Sequence, residues 1–171
     1  MKIVLVGYMG SGKTTIGKLV AKALEFNFLD LDEYIEKTEK KSVSDIFSEK
    51  GEVYFRKMEN FYLNELLAID DDLVLSVGGG TPCFGSNMQD INKATLNSFY
   101  IRVSISDLTD RLVSQKAKRP LIAHLSEDEL PEFIAKHLFE RSYFYNQAHK
   151  TVYNYNKTPD ELKEEILKLL V

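Results

Sequence analysis

Cysteine is nearly missing from this sequence, which contains a single one, Cys83. An intramolecular disulfide is therefore impossible, and a cysteine-rich zinc site is excluded. A long apolar run is missing as well, because the run that follows Met1 and Lys2 stops at Gly7 and is too short for a signal peptide or a membrane span. These absences predict a cytoplasmic protein in a reducing compartment, with no membrane partner.

An excess of positive charge is also absent, since the formal net charge is −4. General nucleic-acid binders are basic, so no nucleic-acid partner is expected, and any cationic site must be local. Apolar residues make up 44% of the chain and charged residues 28%, as in a globular protein rather than a disordered tail. The 171 residues fit one domain, residues 1–171, and we expect a monomer.

The chain does contain an alternation of short β-rich runs with segments of helical period. The first helical segment, Lys13–Leu24, places its apolar side chains on one face. Later helices are predicted after Ser106, after Ser126 and at Thr158, where Glu161 completes a capping box. Strands separated by helices in this way are typical of a parallel sheet. The predicted strands are Ile3–Val6, Phe26–Leu29, Leu73–Val77, Phe99–Val103 and Thr151–Tyr155.

Residues 7–14, GYMGSGKT, join the first strand to the first helix and match the phosphate-loop pattern G-x-x-x-x-G-K-[ST]. In that pattern the glycines let backbone N–H groups turn towards a β-phosphate, Lys13 reaches the β- and γ-phosphate oxygens, and the Thr14 hydroxyl can bind Mg²⁺. A glycine-rich turn alone explains neither Lys13 nor Thr14 at the start of a helix. The motif therefore predicts a bound nucleotide, but it does not identify the phosphate acceptor.

Two carboxylates, Asp30 and Asp32 in FLDLD, stand at the end of the second predicted strand. At positions i and i+2 they leave the strand on the same side, so both can face the crevice above a parallel sheet. One can serve Mg²⁺ through a water molecule and the other a substrate hydroxyl. The alternative is that Asp32 caps a helix that begins near Glu33, which leaves Asp30 unexplained.

Two further segments supply candidate contacts to a small anion. In IFSEKGEVYFRKME a helix is expected to stop at Gly51, and on the next helix Glu59 can aim the guanidinium of Arg56. Viewed alone, such a pair is commonly a solvated surface pair. VGGGTP, residues 77–82, puts three glycines after the third strand, where bare backbone can approach a small polar substrate; the alternative is a flexible turn.

The last two segments are basic or aromatic. KAKRPLIA, residues 116–123, has three positive charges in its first four residues, which suits either a mobile flap over phosphate or a solvated basic turn. Arg141 lies on the helix before the final strand, and we expect the aromatic residues that follow it, Tyr143, Phe144 and Tyr145, to pack in the core.

Taken in order, GYMGSGKTTIGKLVAKAL, LDLD, IFSEKGEVYFRKME, SVGGG, KRPLIA and RSYFY resemble the shikimate kinases, a family in the nucleoside-monophosphate-kinase-like branch of P-loop proteins. The resemblance covers nearly the whole chain. It implies an α/β fold of three layers, α/β/α, with a five-stranded parallel sheet, a helical substrate-binding insertion at residues 32–67 and a mobile lid at residues 116–127. It also implies transfer of the ATP γ-phosphate to the 3-hydroxyl of shikimate, on the route to aromatic amino acids.

The resemblance further implies a role for each motif residue. The catalytic residues would be Lys13, Asp32 and Arg119, with Asp32 accepting from the shikimate hydroxyl and Arg119 reaching the phosphates from the lid. The shikimate contacts would be Asp32, Arg56, Gly79 and Arg141, the two arginines gripping the carboxylate. The nucleotide contacts would be Gly10, Ser11, Gly12, Lys13, Thr14, Thr15, Arg119 and Lys157. The Mg²⁺ contacts would be Thr14 and, through a water molecule, Asp30.

The sequence departs from the family pattern at two places. Relatives often carry an arginine before the lid that stacks on adenine, whereas Arg111 followed by LVSQKA is out of that register. Relatives read R-x-P-L-Y where this chain has R-S-Y-F-Y, so Tyr143 replaces a helix-bending proline. The histidines at positions 124, 137 and 149 match no functional position.

Two other functions remain open at this point. Another small-molecule kinase of the same branch, such as a gluconate kinase or a nucleoside monophosphate kinase, shares the phosphate loop. A nucleotide acceptor needs a second base pocket, whereas Asp32, Arg56 and Arg141 suit a small hydroxylated acid, which gluconate also is. A regulatory module that binds ATP without transfer is the second alternative. The presence of Lys13, Thr14, Asp30, Asp32 and Arg119 together argues against it.

Overall fold

The computed structural model describes residues 1–116, 119 and 121–171. Its sheet has five parallel strands in the order β2-β3-β1-β4-β5, which confirms the predicted sheet. Each strand lies within two residues of its predicted position. The strands are β1 (Lys2–Val6), β2 (Asn27–Asp30), β3 (Leu73–Ser76), β4 (Ser98–Arg102) and β5 (Lys150–Tyr153).

Helices cover both faces of the sheet, because the side chains of each strand alternate between them. In β1, Val4 and Val6 belong to one apolar core and Ile3 and Leu5 to another. The first core is closed by α2 to α6, and the second by α1 and α7. The three-layer α/β/α fold is therefore confirmed. The helices are α1 (Lys13–Leu24), α2 (Leu31–Glu39), α3 (Val43–Ala68), α4 (Asn87–Ala94), α5 (Ile105–Val113), α6 (Leu130–Tyr145) and α7 (Pro159–Leu169).

The helix boundaries follow local capping chemistry. Thr158 and Glu161 form the predicted capping box of α7. The predicted start of α5 at Ser106 is wrong, because Ser104 is the cap: it leaves β4 in an extended conformation and accepts a hydrogen bond from the backbone N–H of Asp107. Within α3, Gly51 breaks the helix with φ 80° and ψ 171°, as predicted, so Arg56 lies on the second half.

The parallel sheet brings the motifs together at one edge. The phosphate loop follows β1 and the glycine turn follows β3. Asp30 is the last residue of β2, and Asp32 comes two residues later. These three strands are neighbours in the sheet. Carboxyl ends of parallel strands meet at a common edge, where ligands of open α/β sheets bind. Among the described helices, none is both long and apolar enough to cross a membrane.

Candidate active site

A cavity of about 480 Å³ opens at this edge of the sheet. It collects most of the residues that the sequence proposed, from the phosphate loop to the start of α7. Those that line it are Gly10, Gly12, Lys13, Thr14, Thr15, Asp30, Asp32, Gly79, Arg119 and Lys157. Ser11 is buried beneath the loop, and Arg56 and Arg141 lie against the glycine turn that forms one wall.

The phosphate loop is held in shape by its own lysine. Lys13 Nζ donates to the carbonyl oxygens of Gly7 at 2.8 Å and Tyr8 at 3.0 Å. Burial lowers the pKa of Lys13 to about 8, against the opposing effect of Asp30 and Asp32. Gly12, with φ 94°, ends the loop in a left-handed conformation as the N-cap of α1. An arriving phosphate can therefore replace two neutral carbonyls as the partner of this ammonium group.

The two aspartates occupy different positions, and the helix-cap alternative for Asp32 is wrong. Because β2 turns directly into α2 at Leu31, the cap is Asp30, whose Oδ1 accepts from the Asp32 N–H at 3.1 Å. The other oxygen of Asp30, Oδ2, accepts from Thr14 Oγ1 at 3.0 Å. Asp30 therefore ties the start of α2 to the start of α1, and it leaves the Asp32 side chain free of any capping role.

Asp32 faces the cavity in an unusual electrostatic environment. Burial, the largest cause, and the nearby carboxylates of Asp30 and Glu59 together raise its pKa to about 7, against the opposing effect of Lys13. Its Oδ1 lies 3.1 Å from the point where a Cβ on Gly78 would be. A carboxyl group that titrates near neutral pH is suited to accept a proton from a substrate hydroxyl.

Arg56 is not a surface residue, so the solvated-pair alternative is wrong. Its Nη1 donates to Glu59 Oε2 at 2.8 Å, and the Glu59 side chain is only 1% exposed. The guanidinium also lies over the ring of Phe84, 3.9 Å from the centroid. Glu59 uses its other oxygen to accept from Thr81 Oγ1 at 2.6 Å. One buried carboxylate thus fixes both the arginine fork and the turn that follows the glycines.

The glycine turn is built for close approach rather than for flexibility. A Cβ on Gly80 would lie 2.8 Å from Arg56 Nη2, and a Cβ on Gly79 would lie 3.7 Å from Arg141 Nη1. A Cβ on Gly78 would lie 3.1 Å from Asp32 Oδ1, whereas the nearest neighbour of a Cβ on Gly79 would be the backbone nitrogen of Met9, at 3.3 Å. Side-chain-free backbone therefore lets two guanidinium groups and a carboxylate converge.

We expect Gly80→Ala to weaken acceptor binding about tenfold while leaving the KM for ATP unchanged. The backbone of Gly80 has φ −87° and ψ −21°, which alanine adopts freely, so the added methyl acts only through its clash with Arg56. Steady-state kinetics with each substrate varied in turn measure the effect. In an Arg56→Ala background the methyl should cost nothing more, because its partner is gone; an equal loss there contradicts the explanation.

Arg141 and the aromatic residues that follow it on α6 do not all lie on the same side of the helix. Arg141 and Tyr145 share a face, and the Tyr145 hydroxyl donates to the Gly79 carbonyl at 2.5 Å from a fully buried ring. Phe144 is half-buried, but the core assignment of Tyr143 is wrong, since it is 71% exposed. Two residues from Arg141 correspond to about 200° of rotation, which places Tyr143 on the opposite side of the helix.

The nucleotide end of the cavity contains residues that sequence reasoning left open or missed. Arg111 Nη1 donates to the Gly10 carbonyl at 3.2 Å, so this arginine does reach the phosphate loop. Asn154, after β5, donates from Nδ2 to the Ser11 carbonyl at 3.2 Å, while its buried Oδ1 has no partner among the described residues. Lys157 lines the same end and pairs with Glu165 at 2.5 Å. No motif signalled Asn154.

Arg119 lines the cavity from the predicted lid. Its Nη2 and Nε both donate to Gln115 Oε1, at 2.9 Å and 3.2 Å. Burial lowers its pKa, against the effect of Tyr8. Ile122, further along the segment, is fully buried in the core. Of the two lysines near Arg119, Lys116 donates to the Leu125 carbonyl, whereas Lys118 lies outside the described residues, as do Ala117 and Pro120.

The chain is similar to known proteins over nearly its whole length. The family model described as shikimate kinase matches residues 9–171. A shikimate kinase from Flavobacterium johnsoniae is 47% identical over 169 residues, 99% of this chain and 98% of that protein. A crystal structure of shikimate kinase from Bacteroides thetaiotaomicron is 36% identical with a TM-score of 0.92, covering 99% of this chain and 97% of that one. Another, from Acinetobacter baumannii in complex with shikimate, is 32% identical with a TM-score of 0.89, covering 98% and 91%.

Proposed function

Because the chain belongs to the shikimate kinase family, we propose that the cavity at the carboxyl edge of its sheet is where the ATP γ-phosphate is transferred to the 3-hydroxyl of shikimate. The observation that carries this proposal is the convergence of Arg56, Arg141 and Asp32 on the glycine turn, opposite the phosphate loop. This set offers two cationic forks and one proton acceptor to an acid that bears hydroxyl groups.

The acceptor half of the site is assembled from α2, α3, α6 and the glycine turn. Arg56 and Arg141 hold the shikimate carboxylate, and the backbone of Gly79 approaches the ring. Asp32 accepts a hydrogen bond from the 3-hydroxyl and takes its proton as the phosphate is transferred. We assign residues 32–67 to the insertion that holds shikimate, because they contain both Asp32 and the fixed pair of Arg56 and Glu59.

The nucleotide half is the phosphate loop and the residues that face it. Backbone N–H groups of residues 10–15 bind the phosphates, and Lys13 moves from its carbonyl partners to the transferring group. Arg119, from the lid at residues 116–127, joins it there. Lys157 lies where it can border adenine, with Arg111 and Asn154 on the same side of the cavity.

The residues present also fit Mg²⁺, which ATP-dependent kinases use. Thr14 Oγ1 and Asp30 Oδ2 are 3.0 Å apart at the cavity wall and are both hard oxygen ligands. In the described part of the chain, no group of three or more histidine, cysteine or acidic side chains is placed to hold a metal ion. A Mg²⁺ ion that keeps several water ligands and binds phosphate oxygens needs only one or two protein oxygens, such as those of Thr14 and Asp30. When bound, it neutralises charge on the β- and γ-phosphates.

The acceptor identity is tested by coupled ADP release with shikimate, gluconate and a panel of nucleoside monophosphates. We expect ADP release with shikimate alone. Turnover of gluconate at a comparable kcat/KM contradicts the proposed acceptor. ATP binding without turnover of any acceptor favours the regulatory module instead.

We expect Arg56→Ala and Arg141→Ala each to weaken shikimate binding strongly, with a loss of about 2–5 kcal/mol, while ATP binding is nearly retained. Each change removes a desolvated contact to the carboxylate. Arg56→Lys is the matched control for charge, and it should fail as well, because a point charge cannot replace the planar fork held between Glu59 and Phe84. Calorimetry with each ligand measures the two affinities. Equal weakening of ATP and shikimate in both alanine variants argues against the assignment.

A further inference from the structure

Tyr8 lies inside the phosphate loop, yet its side chain leaves the nucleotide site. Its carbonyl accepts from Lys13 Nζ at 3.0 Å and from the Ser11 N–H at 3.2 Å, so its main chain is part of the phosphate cradle. Its ring is only 1% exposed and packs in the core on the α6 side of the sheet. The position is one of the variable residues of the phosphate-loop pattern, so nucleotide binding does not explain a buried tyrosine there.

The Tyr8 side chain contacts two successive turns of α6. Its hydroxyl lies 3.1 Å from His137 Nδ1, and the two rings meet edge to face with centroids 6.0 Å apart. Arg141, four residues further along α6, places its guanidinium carbon 5.8 Å from the centroid of the Tyr8 ring, within reach of a cation–π contact. Residues at i and i+4 share one face of a helix, so a single tyrosine sets the position of both.

The protonation states suit this hydrogen bond. Burial raises the pKa of Tyr8 to about 12, although Arg141 and Arg119 oppose the shift, so its hydroxyl remains a donor. Burial lowers the pKa of His137, and Arg141 lowers it further, so the ring is neutral at neutral pH, and in its Nε2–H tautomer Nδ1 can accept from the Tyr8 hydroxyl. Phe133 packs against the other side of the imidazole, with centroids 4.3 Å apart, and fixes the orientation of the ring.

We infer that Tyr8 and His137 form a positioning pair that fixes Arg141 relative to the phosphate loop, and so sets where the acceptor carboxylate lies with respect to the transferring phosphate. The pair rests on the role of Arg141 in the proposed function. The glycine turn completes the connection, because a Cβ on Gly79 would lie 3.3 Å from the Met9 N–H nitrogen and 3.7 Å from Arg141 Nη1. The phosphate loop, the glycine turn and α6 thus meet around Arg141, whose guanidinium lies over the Tyr8 ring.

Kinetics of four variants test the pair. Tyr8→Phe keeps the ring under Arg141 and removes only the hydroxyl; we expect the KM for shikimate to rise about three- to tenfold, with the KM for ATP within about twofold of wild type. His137→Leu should raise the shikimate KM about tenfold, because the buried Tyr8 hydroxyl loses its acceptor. The double variant should be no worse than the more affected single one. His137→Asn should restore the wild-type KM within about twofold, because the amide oxygen of asparagine can accept near the position of Nδ1.

Two controls make the outcomes distinct. Tyr143→Phe removes a tyrosine hydroxyl from the exposed side of α6, opposite Arg141, and it should leave the shikimate KM unchanged. Additive effects of Tyr8→Phe and His137→Leu, an equal rise in the KM for ATP, or an equal effect of Tyr143→Phe overturn the pair. Arg141→Lys separates this inference from the proposed function. An unchanged shikimate KM there contradicts the role of Arg141 itself, whereas a rise there with none in Tyr8→Phe or His137→Leu overturns the pair alone.

Discussion

Asp32→Asn is expected to lower kcat about 100-fold or more while the fold is retained. The amide still reaches the shikimate hydroxyl but carries no negative charge and cannot take its proton. The wild-type carboxylate has a pKa raised to about 7, mainly by burial, so it is a proton acceptor whose basicity matches neutral pH. Single-turnover phosphate transfer, measured with saturating ATP, reports the chemical step directly.

The pH dependence gives the same prediction an independent check. In the wild type, kcat/KM for shikimate should rise with pH through about 7, as Asp32 loses its proton, and the Asp32→Asn substitution should remove that limb. Stability should move in the opposite direction. Since the native pKa of Asp32 lies above the unfolded value of 3.8, the native state binds more protons between these values, and wild-type stability falls as pH rises across that window.

A thermal unfolding series therefore separates catalysis from folding. At pH 8, Asp32→Asn should unfold at a higher temperature than the wild type, because it no longer carries a buried charge near Asp30 and Glu59. At pH 4 the two proteins should differ less. Turnover near the wild-type value in the asparagine variant shows that Asp32 is not the proton acceptor. The proposed contact between Asp32 and the shikimate 3-hydroxyl is then wrong as well.

The fold was predictable from the sequence because its signals are local. The phosphate-loop spacing, the apolar face of α1 and the capping box at Thr158 each lie within a few residues, and each predicted the structure found there. Parallel strands then bring their carboxyl ends together without further information, which placed Asp30, Asp32 and the glycine turn beside one cavity.

The contacts that sequence reasoning missed are non-local. Arg111 meets Gly10 across 101 residues and Asn154 meets Ser11 across 143, and no short motif encodes either pairing. The alternative that Asp32 caps α2 is wrong for a different reason. Sequence spacing shows that an aspartate precedes the helix, but it does not show that β2 enters the helix without a linking residue, which makes Asp30 the cap.

The burial of Glu59 also depends on the tertiary structure. A pair of charged residues three apart on a helix is commonly solvated, and only the packing of α3 against the turn at Thr81 excludes water from it. The same packing holds the guanidinium group of Arg56 in one position, between Glu59 and the ring of Phe84. The sequence therefore proposed Arg56 and Glu59 as a pair, while the fold supplies the burial that fixes their positions.

Arg119→Ala is expected to lower kcat about 100-fold or more, with a much smaller change in the KM for shikimate. The cavity gathers four cations, Lys13, Arg111, Arg119 and Lys157, against two carboxylates, Asp30 and Asp32, so its wall favours an arriving polyanion such as ATP. In this structure the Arg119 guanidinium donates to the neutral Gln115 carbonyl oxygen. Transfer of that guanidinium to the β- and γ-phosphates stabilises charge that grows as the reaction proceeds.

A comparison of kcat with KM shows whether that contact forms only in the transition state. Loss of such an interaction lowers kcat and kcat/KM together, whereas loss of a ground-state contact raises KM alone. Arg102→Ala is the matched control, since it removes the same charge from an exposed residue that does not line the cavity and should leave kcat unchanged. Hydrogen exchange adds a second measurement: amides of residues 121–127 should exchange more slowly when ADP and shikimate are both bound. Equal exchange with and without ligands, or an Arg119→Ala variant altered only in KM, indicates an ordinary basic turn rather than a closing lid.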